Sequence, residues 1–281
     1  MSDTPIDVFI DLPSFPGPVQ AGRLWSHFRK GRESASFEYN KEWLANPHRF
    51  ALEPLLPLAD GTFHTNPGQS VFGAIGDSTP DRWGRILMRR AELARARTAN
   101  ESPHTLSELD YLLRVNDEAR QGALRFSQDG GQSFCAPPGS TPIPPLVNLS
   151  RLLHAADHFC RDDENAEDLR LLLAPGSSLG GARPKASVKD KKGNLCIAKF
   201  PRYDDEYNVV AWEAVALTLA SKAGLQVPRF ELEKITDKDV LSVWRFDRTR
   251  EQRRISYLSA MSMLGACLLY TSPSPRDGAT S

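Results

Sequence analysis

No stretch of this 281-residue chain approaches the roughly 18 consecutive apolar residues that a membrane-spanning helix requires. A basic-then-apolar leader is lacking too, since MSDTPIDVFIDLPSFPG begins acidic and carries early prolines. Net charge is also missing, because 35 Lys and Arg balance 35 Asp and Glu. That removes any whole-molecule electrostatic drive toward nucleic acid or a membrane surface and leaves only local patches. Cysteine is scarce: Cys135, Cys160, Cys196 and Cys267 lie far apart, with no CxxC pair. Reduced cytoplasmic thiols are expected rather than a disulfide framework. No internal repeat is visible. With 40% hydrophobic and 25% charged residues, a sizeable core is affordable.

The first 128 residues or so read as one mixed unit. IDVFIDL and SASFEYN alternate as strands do. STPDRWGRILMRRAELARAR opens with Ser78 or Thr79 as a cap and Pro80 in the first turn, then repeats apolar residues at helical spacing. TLSELDYLLRV is a second helix and GALRF a short strand. SQDGGQSFCAPPGSTPIPPL then packs five prolines and three glycines into 20 residues, the composition of a connector. Helices are expected over 149–160 and 164–173. ASVKD and LCIAKFP flank the turn KKGN as a hairpin. NVVAWEAVALTLASKAG is a helix stopped by Gly224 and Pro228, and RFELEKI and VLSVWRFD are two further strands.

Ahead of that hairpin, GSSLGG concentrates three glycines and two serines in six residues. A Walker A loop needs Lys directly after its last Gly. Gly176 and Gly181 have the right spacing, but Ala182 stands at the lysine position, so a P-loop NTPase is not indicated. A tight turn is the plain alternative. Strand alternation places Leu195, Ile197 and Lys199 on one face. On the following helix Glu213 falls in the same stripe as Val209, Val210 and Leu217. An acid and a lysine in facing apolar stripes should pair, since burying either alone is costly. Glycine loop, strand lysine, helix glutamate is the order of parts in a kinase nucleotide lobe. A purely structural ion pair remains open on this pattern.

SSLGGARPKASV, IAKFP, NVVAWEAVALTLASKAGLQVP and VLSVWRFDR together resemble the HipA-type serine/threonine kinases of bacterial toxin–antitoxin systems. VQAGRL, SFEYNKEWL and STPDRWGRILM are similar to that family's N-terminal domain. The resemblance implies an α+β fold: a HipA-like N-terminal domain over 1–128, the connector over 129–148, and a partial protein-kinase-like lobe of antiparallel sheet plus helix over 149–266. A disordered, non-native tail is expected over 267–281.

The resemblance makes Ser177, Ser178, Leu179, Gly180, Gly181, Ala182, Arg183 and Lys185 the phosphate-facing loop, with Ser178 matching a serine that family members autophosphorylate. Lys199 would bind the ATP phosphates, with Glu213 as its partner. Trp244, Arg245 and Phe246 would form the hinge whose backbone meets adenine. ATP and Mg2+ are the implied cofactors. The implied partners are a HipB-like helix-turn-helix antitoxin and a protein substrate, by resemblance an aminoacyl-tRNA synthetase, with DNA reached only through the antitoxin.

Phosphoryl transfer also requires a catalytic Asp, an Asn and a metal-binding Asp beyond the hinge. The last asparagine is Asn208, and after Asp247 only Asp277 follows, so no catalytic residue is assigned in this chain. RRISYLSAMSMLGA continues as a helix, and CLLYTSPSPRDGATS then breaks the pattern. A catalytically inactive module that binds an antitoxin is the alternative, and a lipid or sugar kinase sharing the lobe stays open. His154 and His158 have zinc spacing but no second ligand cluster. The arginines at 82, 85, 89, 90, 95 and 97 could meet nucleic-acid phosphates. A solvated helix face with intrahelical pairs, for instance to Glu92, is the plainer reading, and Trp83 is expected to pack the N-terminal domain.

Overall fold

Two antiparallel sheets, one in each half of the chain, carry the architecture of the computed structural model, which describes residues 5–135, 143–173 and 181–265. The first sheet contains β1 (Ile6–Ile10), β2 (Val19–Arg29), β3 (Arg32–Tyr39), β4 (Thr62–His64) and β5 (Leu124–Ser127), in the order β4-β3-β2-β1-β5. β1 is buried along its whole length rather than on alternate residues. It lies between β2 and β5, and its Asp7 carboxylate is taken by Gln20 and Arg23 at 2.6 and 3.0 Å. The β2–β3 turn uses Lys30 and Gly31, both at positive φ, as a two-residue hairpin turn demands.

Beside an irregularity in the β1–β2 register, Gly22 lets two strands and a ring close up. A Cβ there would stand 2.2 Å from the Glu38 carbonyl oxygen and 2.5 Å from the Phe37 ring. Gly22→Ala is therefore expected to cost about 1–3 kcal/mol through overpacking. The check is a lowered urea midpoint at unchanged slope.

Four helices interrupt this half: α1 (Lys41–Ala45), α2 (Gly73–Gly76), α3 (Arg82–Ala99) and α4 (Glu108–Leu113). The cap of α3 is Asp81, whose Oδ1 accepts from Gly84 N–H at 2.9 Å, and not Ser78 or Thr79. Those two residues close the turn of α2 instead, through Ser78 N–H to the Ile75 carbonyl and Thr79 Oγ1–H to the Gly76 carbonyl. Pro80 accordingly precedes the cap. α4 begins with a reciprocal capping box between Ser107 and Asp110. Phe37, Trp43, Leu56, Ile75 and Phe126 form the heart of this first core.

The second half supplies α5 (Leu149–Cys160), α6 (Ala166–Leu173), β6 (Lys185–Lys189), β7 (Leu195–Lys199), α7 (Val209–Lys222), β8 (Phe230–Ile235) and β9 (Lys238–Trp244). Its sheet runs β6-β7-β9-β8. α7 covers one face through Val210, Ala214 and Leu217 on Leu241 and Val243. The other face, with Ala186, Val188, Cys196, Ala198 and Val240, packs on α5 and α6. Trp83 and Leu87 of α3 belong to this second core, which corrects the expectation that Trp83 packs the N-terminal unit. The core of the first sheet is filled by Ile75, Leu112 and their neighbours, and no residue of α3 belongs to it.

The helix expected from Arg253 onward is only the short α8 (Ala260–Leu264). Residues 253–258 lie outside any helix because their side chains are spent on the first half. Arg253 donates to the Leu12 and Phe15 carbonyls, and Arg254 pairs with Asp117 at 3.1 Å. The expected tail over 267–281 and loop residues Ser177, Ser178, Leu179 and Gly180 lie outside the described residues.

Candidate functional site

The β6–β7 hairpin sets the register of the site. Its turn is organised by Asp190, whose carboxylate accepts from Lys192 N–H, Asn194 N–H and Asn194 Nδ2–H, all at 2.8 Å. Gly193, at φ +82°, supplies the left-handed position. At the other end Phe200 N–H bonds the Pro184 carbonyl at 3.0 Å. The neighbouring pair, Lys185 opposite Lys199, is therefore non-hydrogen-bonded, the geometry in which facing side chains stand closest. Two ammonium groups side by side repel unless each has a counter-charge.

Each has one, from a different element. Lys199 Nζ donates to Glu213 Oε1 on α7. Lys185 Nζ donates to Asp81 Oδ2 at 2.7 Å and to the Gly181 carbonyl at 3.0 Å. The two pairs differ in burial. Lys199 and Glu213 side chains are 27% and 38% exposed, whereas Lys185 and Asp81 are 3% and 9% exposed. Sequence periodicity put Glu213 in a core-facing stripe. The pair instead sits at the edge of the α7 contact, because α7 is apolar on both sides and buries only Val210 and Ala214 fully. Burial pulls the Lys185 ammonium below the ordinary lysine range, and Asp81 opposes that pull.

Around the lysines the loop's descending arm is tied down. Arg183 makes a two-pronged contact with Asp205 at 2.7 and 3.0 Å. Burial alone would raise the Asp205 carboxyl, but the bonds from Arg183 and Arg202 N–H hold it below the usual aspartate range. Gly181 is at φ +69°, and Ala182 is exposed beside it. Trp83 N–H reaches the Gly181 carbonyl at 3.3 Å and Trp83 Nε1–H the Lys185 carbonyl at 2.9 Å.

The three hinge residues send their side chains three ways. Trp244 lies with Cys196 on the face away from Lys199, its Nε1–H on Asp190 at 3.0 Å and Arg229 stacked over its ring at 3.9 Å. Arg245 is buried against Asp247 and the Ala119 carbonyl, and its N–H is taken by the Leu195 carbonyl at 3.1 Å. Phe246 is exposed.

Asp81 is the site residue that sequence reasoning missed. It lies 104 positions from Lys185, and only its place in the PDRWGR stretch hinted at a role. Among the described residues no group of three His, Cys, Asp or Glu is arranged to hold a metal. His158 Nδ1 instead faces Asp168 at 3.0 Å. Three of the helical arginines are tied internally: Arg85 to Glu108, Arg90 to Asp162 and Glu164, and Arg95 to Glu92 and Glu101. No helix among the described residues is long and apolar enough to cross a membrane.

Residues 17–127 match the model of the HipA N-terminal domain, and residues 177–274 that of the HipA-like C-terminal domain. Among solved structures, HipA of Shewanella oneidensis MR-1, in complex with HipB and operator DNA, is similar at 18% identity and a TM-score of 0.51. The similarity covers 94% of this chain and 57% of that one. At this identity it speaks for the fold alone. No match was found among curated proteins.

Proposed function

Because this chain belongs to the HipA family, carrying both of its domains, we propose that it binds a nucleoside triphosphate as part of a protein serine/threonine kinase. The observation that carries this reading is the half-exposed Lys199–Glu213 pair beside the glycine-bearing arm. A half-exposed ammonium with one carboxylate partner can exchange water for a phosphate oxygen without losing its counter-charge. Glu213 holds it in place meanwhile. The backbone of Trp244 to Phe246 is the proposed adenine edge. Ser178 is the proposed autophosphorylation position.

The residues present do not fit the magnesium ions of the transfer step. Among the described residues no group of three His, Cys, Asp or Glu is arranged to hold a metal ion. The role assigned to this chain is therefore nucleotide binding and orientation. Phosphorylation of a protein substrate, by resemblance an aminoacyl-tRNA synthetase, belongs to the proposal for the whole protein, as does a cytoplasmic location. The chain spans 57% of the length of the S. oneidensis HipA it matches. A HipB-like antitoxin is the proposed partner, favoured by the HipB complex in which that HipA was solved.

Calorimetric titration with ATP tests the reading. Lys199→Ala is expected to weaken binding on the order of 10- to 100-fold, the worth of one charge-assisted hydrogen bond. The unaltered chain failing to bind ATP, or Lys199→Ala binding equally well, would sink the nucleotide reading. Retained binding to a HipB-like protein in that case would leave the interaction module standing.

A further inference from the structure

The two facing lysines are not equivalent, and the difference points to a division of labour between the two domains. Lys199 is neutralised by a carboxylate of its own domain, Glu213, in a contact open to solvent. Lys185 is neutralised by Asp81, which lies within the segment matched by the N-terminal domain, in a contact nearly closed to solvent. We propose that Lys185 is an anchor rather than a phosphate ligand. Asp81 is then the positioning residue through which the N-terminal domain fixes the nucleotide-facing arm, residues 181–185. The nucleotide part of this inference rests on the reading above, while the anchoring part does not.

Hydrogen bonds among Asp81, Trp83, Gly181 and Lys185 define the anchor. Asp81 Oδ2 accepts from Lys185 Nζ, which also donates to the Gly181 carbonyl and closes the arm on itself. Trp83 N–H, a first-turn donor of α3 that has no partner inside the helix, takes that same Gly181 carbonyl. Trp83 Nε1–H takes the Lys185 carbonyl. Asp81 is bound on both oxygens: Oδ1 caps α3 on Gly84 N–H while Oδ2 holds the lysine. The first turn of α3 thus sets where the arm leaves the sheet and where Lys199, directly opposite Lys185, meets whatever the arm holds. An ammonium buried to this degree exchanges partners at a large desolvation cost, which favours a fixed strut over a ligand that comes and goes.

Asp81→Asn is the informative variant, because asparagine caps a helix as well as aspartate does. It keeps the oxygen toward Gly84 and removes the charge facing Lys185. The readouts are hydrogen–deuterium exchange of the 181–189 amides, exchange of the first sheet (6–39) as an internal reference, and ATP affinity. Exchange over 181–189 is expected to rise roughly tenfold or more with the reference unchanged, and ATP affinity to fall roughly tenfold. Lys185→Met should do the same, and the double variant Asp81→Asn/Lys185→Met should be no worse than either single one. The double variant also removes both buried charges together, so it folds even where a single variant does not. Unchanged exchange over 181–189 in Asp81→Asn overturns the anchor, as do additive effects in the double variant. Loss of ATP binding in Lys185→Met with full binding in Asp81→Asn also overturns it, since Lys185 would then be a direct ligand. Faster exchange in Asp81→Asn, in a chain that never binds ATP, supports the anchor and removes the nucleotide reading instead.

Discussion

Asp247→Ala is expected to destabilise the chain by about 3–5 kcal/mol, because it leaves buried guanidinium groups without their carboxylate. Asp247 is fully buried and accepts from Arg245 Nε at 2.6 Å, Arg248 Nη1 at 2.8 Å and Gly122 N–H at 2.8 Å. The same arginines reach on to the Ala119 and Arg120 carbonyls at 2.8 and 2.7 Å. Asp247 follows the last strand of the second sheet, whereas Gly122 precedes the edge strand of the first, so the carboxylate joins the two halves of the fold. Removing it strands two cations and one backbone donor together. Asp247→Asn, with its amide oxygen in place of Oδ2, keeps the acceptor for Arg245 Nη2, Arg248 Nη1 and Gly122 N–H without the charge, and a smaller loss there would apportion the effect between charge and hydrogen bonding.

The same carboxylate predicts a pH dependence. Burial by itself would raise its pKa, but the Arg245 and Arg248 contacts outweigh burial and hold it below the ordinary aspartate range. A depressed native pKa means that the unfolded chain binds the proton more readily. The stabilisation is therefore complete above the unfolded-state value and drains away as pH falls through the native one. Urea midpoints measured from neutral pH downward should fall in the parent and fall less steeply in Asp247→Ala. Parallel slopes would remove Asp247 from the account.

Much of the second half was legible because its signals are local. Alternation in LCIAKFP, the KKGN turn and the helix from Val209 to Gly224 all lie within short windows, and they suffice to bring Lys199 near Glu213. What was not legible depends on distant segments. Whether Glu213 is buried or half-exposed is decided by how much of α7 the sheet covers, and the apolar outer side of α7 hides that from periodicity. The true α3 cap, Asp81, was masked by Ser78 and Thr79 just before it, both able to cap. It was settled by α2, whose turn consumes Ser78 and Thr79. Arg245 read as hinge, yet its side chain is committed to a junction assembled from residues 119–122 and 245–254. Asp81 carried no local mark beyond its place in PDRWGR, since its lysine stands at the far end of a connector and two helices.

Trp83 offers the second large effect, and one that separates packing from bonding. The indole is 3% exposed in the second core, edge-on to Phe159 with ring centroids 5.0 Å apart. Trp83→Ala should cost about 3–5 kcal/mol, the usual range for emptying so large a buried site. Trp83→Phe keeps most of the packing but deletes the Nε1–H that meets the Lys185 carbonyl. β6 is an edge strand, and because Pro184 turns its carbonyl toward Phe200, Lys185 turns its own outward. The indole therefore satisfies a carbonyl that no neighbouring strand can reach. Losing that bond should cost about 1–3 kcal/mol, with the loss concentrated in amide exchange near residues 181–189. If Trp83→Phe instead lowered protection evenly across both sheets, Trp83 would be core filling alone. The tie between the first turn of α3 and the arm would then rest on Asp81 and the Trp83 backbone N–H.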